Sequence, residues 1–416
     1  NILLDCGMFQ GGDSENQSRN RHFGFDPASI QYLILSHAHI DHSGLIPAFV
    51  KQGFRGKIYT THATKDLCEL MLADSAHIQV NELKYLNRRR EKRGEEKLKP
   101  IYDEGDVIEA LTHFHPVKYN TWVEIEDGVR FLLSDAGHLL GSAAINLEIT
   151  EGEETHKILF TGDIGRPHDR ILRSPIKPEQ ADIIICESTY GDRLHENEGN
   201  TKEKLLKIVN ETCVLQKGKL LIPAFSVDRT QELIYMLDQL SSEGKLPSIP
   251  VYVDSPLSVK ATKIMKDHDE CFNPEILEYI EKDGDAFCFP NLHYISELEQ
   301  SKALNFSSEP AIIISASGMA EAGRIKHHIR NNIEKANTTI LFVGYATPTS
   351  LGGILRNNPR SVKIFGDILK VNARIEIMDS FSGHGDYEEM LDFLSSQNSG
   401  LVKKLFLVHG DLDAQT

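Results

Sequence analysis

The sequence has no hydrophobic run long enough to span a membrane and no surplus of positive charge. Its apolar stretches fall far short of the 18 or more residues of a membrane helix, and its first residues do not resemble a signal peptide. With 45 Lys and Arg against 61 Asp and Glu, the formal net charge is -16. This charge argues against a protein that holds nucleic acid through its overall field. It is compatible with a local basic groove, or with metal ions that bring their own charge.

Cysteine is also scarce and scattered. The six cysteines form no C-x-x-C pair and are too sparse for a disulfide scaffold, so we expect a reducing, cytoplasmic location. The chain begins with Asn1, and the stretch Asn1 to Asp5 reads as the end of a strand. We therefore expect further sequence, with additional strands, before Asn1, and we expect the chain to continue after Thr416.

Histidine, in contrast, is plentiful, and one stretch concentrates it. Directly after the apolar run 32–35 come His37, His39, Asp41 and His42 within six positions. In an extended or turning backbone His37 and His39 point to the same side, whereas the adjacent Asp41 and His42 diverge. One loop can therefore serve two ions, and the ligand types favour half of a dinuclear zinc centre. The alternative, a solvated histidine-rich loop, would need neither the aspartate nor this spacing.

Short β-branched and aliphatic runs alternate with helix-like periods, which predicts α/β layers. Five of these runs end in or just before an acidic residue or a histidine: Asp5, His37, Asp163, Glu187 and His409. Ligands of α/β sheets collect at the carboxyl edge of the strands, so we expect these side chains to converge. His138 instead precedes a predicted strand, 143–149. A cap or turn role is an equal alternative for Asp5 and Glu187 taken alone, whereas the glycines around Asp163 favour function because they let the backbone turn and aim the carboxylate.

A second α/β domain is predicted within the first. From about residue 195 the chain shows strand, loop and helix units, and the predicted helix 229–240 has an apolar face with a period near 3.6. We expect residues 1–194 and 373–416 to form one domain and residues 195–372 to form the inserted one. The polar segment 196–200 is predicted to be a linker.

Seven short motifs carry a family resemblance. Four of them resemble, in order, the motifs of the metallo-β-lactamase superfamily: Leu4-Asp5-Cys6-Gly7, His37-Ala38-His39-Ile40-Asp41-His42, Gly137-His138-Leu139-Leu140-Gly141-Ser142 and Phe160-Thr161-Gly162-Asp163. Three more are similar to the additional motifs of its β-CASP branch, which contains RNA-processing nucleases: Cys186-Glu187-Ser188-Thr189-Tyr190-Gly191, Phe381-Ser382-Gly383-His384-Gly385-Asp386 and Val408-His409-Gly410-Asp411. The resemblance implies an αββα metallo-β-lactamase sandwich with an inserted α/β β-CASP cap.

The resemblance also implies roles for these residues. One metal would be held by His37, His39 and His138, and the other by Asp41, His42 and His409, with Asp163 bridging. Asp5 would orient the ligand loop. The implied cofactors are two Zn²⁺ ions, with Mn²⁺ or Fe²⁺ as alternatives. The implied reaction is hydrolysis of a phosphodiester by a metal-activated hydroxide. Asp163 and Asp41 would take part in this reaction as metal ligands. His384 would be the general acid, kept protonated by Glu187.

The implied substrate is single-stranded RNA threaded between the two domains, because a histidine at the position of His409 goes with RNA processing in this family. Phosphate contacts are expected from Ser315, Ser317 and Gly318, ahead of a predicted helix, and from Arg229. An ordinary strand-to-helix turn is an equal alternative for the Ser/Gly loop. Gly353 departs from the family, which usually carries Arg there. We expect no membrane partner and allow for a homodimer.

Three alternative functions would each require different sequence features. A small-molecule hydrolase of the same core, such as a thioesterase, would have no need for Glu187, His384 or the large insertion. A non-catalytic scaffold for RNA processing would be expected to lack ligands, whereas every ligand position is filled here. A diiron redox enzyme would need a further carboxylate pattern that the sequence does not show.

Overall fold

The structure is a computed structural model that describes residues 1–9, 14–195, 199–378 and 381–415, without the side chains of residues 14, 15, 17 and 85. The chain forms two compact units, the first comprising Asn1–Arg193 and His384–Thr416 and the second comprising Leu194–Gly383. Among the described residues, no helix combines the length and the apolar character needed to cross a bilayer. Residues 196–198 of the predicted linker lie outside the description.

The first unit contains two sheets. The N-terminal sheet is fully parallel, in the order Ile2–Leu4, Tyr32–Ile34, Lys57–Thr61, Phe114–Val117. The mixed sheet has six strands, in the order Lys404–Val408, Ile183–Glu187, Glu154–Phe160, Ala143–Glu151, Val129–Asp135, Val123–Glu126. Its first three strands are parallel to one another and the rest pair antiparallel.

The two sheets pack face to face. Successive residues of a strand point to opposite faces, and the strand Ala143–Glu151 follows this rule. Ala143, Ile145 and Leu147 pack in one core cluster with Ile34 and Tyr59 of the N-terminal sheet. Ala144 points the other way, into a cluster with Phe393 of the C-terminal helix. With the helix His62–Glu91 packed on the N-terminal sheet, this arrangement confirms the predicted αββα sandwich.

Three helices of the first unit begin at side-chain caps. The Thr61 side chain caps the long helix His62–Glu91, and Asp103 and Asp386 form capping boxes. The α-helices are Ser14–Arg19, Ile40–Ser43, Ile46–Lys51, His62–Glu91, Glu104–Leu111 and Tyr387–Phe393. Short 3₁₀ turns lie at Pro27–Ser29, Leu394–Ser396 and Leu412–Gln415.

The second unit is built on a parallel six-stranded sheet, in the order Leu292–Tyr294, Val251–Val253, Ala311–Ser315, Lys219–Pro223, Thr339–Phe342, Arg374–Ile377. A hairpin, Ser361–Ile364 with Asp367–Lys370, packs against its core. The α-helices are Thr201–Val209, Arg229–Ser242, Pro256–Lys266, Pro274–Asp283, Leu298–Phe306, Gly323–Asn332 and Leu351–Arg356. A π-helical turn lies at Asn210–Leu215 and a 3₁₀ turn at Asp269–Cys271.

One boundary differs from the sequence-based expectation. We expected the chain to return to the first domain at residue 373, but the strand Arg374–Ile377 pairs in register with Thr339–Phe342 of the second sheet. The strand also carries Arg374, which binds Glu211 of the second unit at 2.5 Å. The second unit therefore continues to Gly383.

Candidate metal centre

Strand ends bring the predicted ligands of the first unit together. Asp5 and His409 directly follow the strands Ile2–Leu4 and Lys404–Val408, and both adopt left-handed backbone angles, with φ of 58° and 52°. That conformation is unfavourable for residues other than glycine, and strained positions of this kind cluster at functional sites. Each strand therefore turns sharply at its carboxyl end, at the residue whose side chain enters the site.

Four side chains form a first cluster. His37 Nε2 lies 3.1 Å from His39 Nδ1, which lies 3.2 Å from His138 Nε2. Asp163 Oδ2 is 3.5 Å from His37 Nε2 and 3.4 Å from His138 Nε2. A tetrahedral zinc ion with bonds of about 2.0–2.1 Å separates its ligand atoms by roughly 3.3–3.4 Å. These four atoms thus have the spacing of the corners of a zinc site.

A second cluster lies on the other side of Asp163. It joins Asp41, His42 and His409, whose candidate ligand atoms all lie within 4.8 Å of one another. His409 Nε2 is 3.4 Å from Asp41 Oδ2, and His42 Nε2 is 3.2 Å from Asp163 Oδ1. Oδ2 of Asp163 thus faces the first cluster and Oδ1 faces the second, which is the arrangement of a bridging carboxylate.

Two buried atoms support the fit of a cation to this cluster. Within the described part of the chain, His42 Nε2 and Asp163 Oδ1 are buried and make no well-aligned hydrogen bond. A buried polar atom without a partner is costly. A metal ion bound by His42 and Asp163 would satisfy both atoms at once.

The Asp5 carboxylate accepts the hydrogen bonds that hold two of the imidazoles, His42 directly and His37 through Ser36. Asp5 Oδ2 lies 2.6 Å from His42 Nδ1 and accepts a hydrogen bond from Ser36 Oγ at 2.7 Å. Ser36 Oγ in turn lies 3.0 Å from His37 Nδ1. When both Nδ1 atoms carry their proton, His42 and His37 present Nε2 to the clusters. Asp5 thus occupies the orienting position predicted for it, and the role itself stays a prediction.

Thr189 acts in the same way on His409. Its hydroxyl donates to the His409 carbonyl at 2.9 Å, so it can accept from His409 Nδ1–H at 3.0 Å and leave Nε2 for the second cluster. Ser36 and Thr189 were missed by sequence reasoning, although Thr189 lies inside a quoted motif. For Ser36 the available signal was a hydroxyl next to a ligand histidine in the sequence.

Glycine permits the close approach of two ligand loops. A Cβ on Gly165 would lie 1.9 Å from the Gly137 carbonyl oxygen, so the loops that carry Asp163 and His138 can touch only without a side chain there. Gly162 has φ of 55°, and a Cβ there would press on Ser36. This agrees with the prediction that glycines aim the Asp163 carboxylate.

The electrostatics of the site favour cations. Burial lowers the pKa of His37 and His39, so both are neutral, as metal ligands must be. Burial would raise the pKa of Asp163, but His42 and His37 outweigh it and hold that pKa well below its usual value. Burial would lower the pKa of His42, yet Asp163 and Asp5 raise it well above its usual value. The field at His42 therefore stabilises positive charge.

His384 and Glu187 lie next to the first cluster. His384 Nδ1 is 3.1 Å from Glu187 Oε2, and the His384 ring lies 4.5 Å from that of His138. Burial would lower the pKa of His384, but Glu187, together with Asp163 and Asp41, raises it to about 9. Glu187 is itself buried and accepts a hydrogen bond from the Ile164 backbone N–H.

The residues predicted to contact phosphate lie in the second unit, and their side chains differ in burial and in hydrogen-bond partners. The Ser315 hydroxyl is buried and donates to the Asp254 carbonyl at 2.7 Å. Arg229 pairs with Glu232 and lies over the Phe381 ring, 5.4 Å from its centroid. Residues 315–318 precede a helix, as expected, but residues 319–322 separate them from that helix, Gly323–Asn332. The N–H groups of residues 315–318 therefore do not belong to its first turn. Ser317 Oγ is buried and, within the described residues, has no hydrogen-bond partner.

Comparison with known families matches three parts of the chain. Residues 1–215 match the metallo-beta-lactamase superfamily, and residues 230–355 match the Beta-Casp domain. Residues 368–416 match the Zn-dependent metallo-hydrolase RNA specificity domain. The first match alone covers more than half of the chain.

Individual relatives cover almost the whole chain. It is 33% identical over 410 residues to ribonuclease TTHA0252 of Thermus thermophilus, an alignment that covers 99% of this chain and 88% of that protein. It is 28% identical over 420 residues to transcription termination factor FttA of Methanosarcina mazei, covering 99% of this chain but only 63% of that protein. An RNase J-like protein of Methanocaldococcus jannaschii is 28% identical over 414 residues, with 99% and 87% covered.

Proposed function

Because the chain belongs to the metallo-β-lactamase superfamily, in its β-CASP ribonuclease branch, we propose that it is a metal-dependent hydrolase of phosphodiester bonds in single-stranded RNA. The observation that carries the proposal is the orientation of Asp163, whose two oxygens face two separate clusters of predicted ligands. The RNA substrate is supported by the match of residues 368–416 to an RNA specificity domain and by the relatives' names. Passage of the strand between the two units stays a prediction.

The ligands divide between two ions. His37, His39 and His138 would hold one zinc ion, and Asp41, His42 and His409 the other, with Asp163 shared. When bound, the two ions would supply the Lewis acidity that ionises water and neutralises charge on a phosphodiester. Asp5, Ser36 and Thr189 keep the imidazoles in the orientation and tautomer that bind metal.

His384 is the proposed general acid. Its Nδ1 points at Glu187, so the other ring nitrogen is left to donate a proton to the leaving oxygen. Glu187 favours the imidazolium form, which keeps that proton available at neutral pH. Burial of the Glu187 carboxylate and its bond from the Ile164 N–H hold it in this position.

The test uses end-labelled RNA and DNA of one sequence, with and without a 5′ phosphate. We expect the wild-type protein to cleave RNA, Asp163→Ala to lose cleavage, and His384→Ala to retain a reduced, pH-dependent rate. His156→Ala is the matched control, because this half-exposed histidine pairs only with Glu154 among the described residues. Product lengths distinguish an exonuclease from an endonuclease. Equal cleavage by wild type and Asp163→Ala would refute the proposal.

The two alternative functions, a thioesterase and a non-catalytic scaffold, predict different results for the same purified protein. A thioesterase would hydrolyse small thioesters and leave RNA intact, and a scaffold would bind RNA while holding close to no metal. The filled ligand positions and the His384–Glu187 pair favour the ribonuclease. A cytoplasmic location is part of the proposal, since all six cysteines are free and five are buried.

A further inference from the structure

A hairpin in the second unit carries an exposed aromatic ring at its turn. Phe365, between the strands Ser361–Ile364 and Asp367–Lys370, has φ of 52° and 53% of its surface exposed. Val362 and Ile364 are buried in the core of the unit and anchor the hairpin. The ring is therefore held on a fixed support and still meets solvent.

The neighbouring helix supplies a second ring and a cation. The His327 ring stacks on Phe365 with centroids 4.6 Å apart and an interplanar angle of 30°. Lys326 Nζ lies 5.5 Å from the Phe365 centroid. His327 and Lys326 belong to the helix Gly323–Asn332, which follows the loop that contains Ser317 and Gly318. The two rings and the ammonium group thus share one surface.

The hairpin carries two more cations, on a protein of net charge -16. Lys363 and Lys370 are exposed on the hairpin, and Lys363 lies between the buried Val362 and Ile364. Two acidic residues are near: Asp367, 2.7 Å from Arg330, and Glu321, 3.5 Å from Lys326. Exposed pairs of this kind are weak and leave the cations available to a stronger anion.

Exposed aromatic faces flanked by Lys and Arg are the elements with which proteins bind single-stranded nucleic acid without sequence preference. We propose that Phe365, His327, Lys326 and Lys363 form a stacking platform for a base of single-stranded RNA, with the lysines contacting its phosphates. This inference rests on the proposed function, because it takes RNA as the substrate. It adds a binding site in the second unit, apart from the residues that would perform the chemistry.

The first experiment separates stacking from simple apolar packing. Affinity for a single-stranded 12-nucleotide RNA is measured by fluorescence anisotropy in the inactive Asp163→Ala background. We expect Phe365→Leu to bind about fivefold to tenfold more weakly and Phe365→Tyr to bind normally. The control is Phe306→Leu, which alters another exposed phenylalanine of the same unit, 88% exposed. Equal affinity in Phe365→Leu and its parent would overturn the platform, as would equal weakening in Phe365→Leu and Phe365→Tyr.

The second experiment requires no substitution at the platform. RNA that contains 5-iodouridine is irradiated with the Asp163→Ala protein, and cross-linked peptides are identified by mass spectrometry. We expect a cross-link on the peptide that contains Phe365 or His327. Cross-links confined to other peptides would contradict the proposal and would leave the surface to a protein partner.

Cleavage assays then distinguish failure of the platform from failure of the proposed function. If wild type and Phe365→Leu cleave a 12-nucleotide RNA equally well, the platform is wrong and the ribonuclease stands. If wild type cleaves no RNA, the proposed ribonuclease is wrong, and the binding and cross-linking results still decide the platform. We expect Phe365→Leu to lose kcat/KM on the 12-nucleotide RNA by the same factor as its affinity.

Discussion

Two hydroxyl groups lie against Nδ1 of His37 and His409, which leaves Nε2 of each imidazole for the candidate metal centre. Ser36 connects His37 to Asp5, and Thr189 holds His409 through both its ring and its carbonyl. Each hydroxyl contacts a histidine of one cluster directly, and Ser36 reaches the other cluster only through Asp5. They therefore offer a way to weaken one candidate metal site without altering a ligand.

We predict that Ser36→Ala lowers metal affinity at the first cluster by about 10–100-fold, and that Thr189→Val does the same at the second. The reason is that each imidazole loses the partner that fixes its tautomer. Metal content after competition with a graded series of chelators measures the effect, and Ser29→Ala, an exposed serine that donates to the Asp26 carbonyl, is the control. Equal weakening of both sites by both variants would contradict the assignment of Ser36 and Thr189 to separate clusters.

The sequence predicted which residues converge, but not how they are held. Asp5, His37, Asp163, Glu187 and His409 were identifiable because apolar strands end at them, and strand ends meet at one edge of a sheet. The roles of Ser36 and Thr189 depend on contacts between distant strands, which sequence spacing does not encode. Ser315 was expected to contact phosphate, but its hydroxyl finds a nearer acceptor in the Asp254 carbonyl.

In the second unit, a buried network of charged and polar side chains connects the end of one strand to two helices. The fully buried Asp254 carboxylate binds His328 at 2.6 Å, Ser301 at 2.5 Å and Arg324 at 2.7 Å. Arg324 and His328 lie one turn apart on the helix Gly323–Asn332. The network therefore locks this helix to the strand Val251–Val253, and removing one partner leaves a buried charge.

We predict that His328→Ala lowers the free energy of unfolding by about 2–3 kcal/mol, because Asp254 stays charged and loses a partner. Asn331→Ala, an exposed change on the same helix, should cost less than about 0.5 kcal/mol. Urea unfolding measures both. Combining His328→Ala with Asp254→Asn should cost less than the sum of the two single changes; an additive result would show that the contacts act independently.

A second buried carboxylate gives the unit a pH dependence. Asp238, in the helix Arg229–Ser242, is 1% exposed, and within the described part of the chain neither of its carboxylate oxygens has a hydrogen-bond partner. Burial, with the charge of Asp283, raises its pKa to about 7. The folded state thus holds this proton more tightly than the unfolded state, so the group's contribution to stability falls as pH rises from about 4 to about 7 and is constant above that.

We predict that Asp238→Asn is more stable than wild type at pH 8.5, by about 2–4 kcal/mol. The difference should shrink as pH falls below 7 and nearly disappear near about pH 3.5, where Asp238 is protonated in the folded protein and largely protonated in the unfolded one. Urea unfolding at the two pH values measures it, and Asp267→Asn serves as a control on another helix end. A stability difference that does not change with pH would refute the assignment.

Element boundaries show where sequence reasoning reached its limit. The start of the helix Arg229–Ser242 agrees with the predicted helix 229–240, because the period of its apolar residues is strong. The strand Arg374–Ile377 is short and alternates polar with apolar residues, so its sequence suits the edge of either sheet. Only its pairing with Thr339–Phe342 assigns it to the second unit.

At the scale of the whole molecule, the candidate chemistry is concentrated in one unit. Both clusters, His384 and Glu187 lie within Asn1–Arg193 and His384–Thr416. The single tryptophan of the sequence, Trp122, lies in the same unit. Tryptophan fluorescence therefore reports on the unit that would bind metal.

We predict that removing metal with a chelator lowers the unfolding midpoint seen by Trp122 fluorescence. Ligands that bind only the folded state stabilise it by about 2.7 kcal/mol at a hundredfold excess over Kd, and removal reverses this. A probe in the second unit, such as a label on the exposed Cys288, should move less. Asp163→Ala is the control, and an equal response to the chelator in that variant would place the metal elsewhere.

The shared carboxylate of Asp163 has a consequence for how the centre is loaded. If both clusters bind metal as proposed, an ion at either one would neutralise the same charge and orient the same group that the other cluster needs. Occupancy of the two positions would then be cooperative in geometry and anticooperative in charge, and the balance would set whether half-loaded protein accumulates. The order of filling, and the tolerance for two different metals side by side, would be determined by this one side chain.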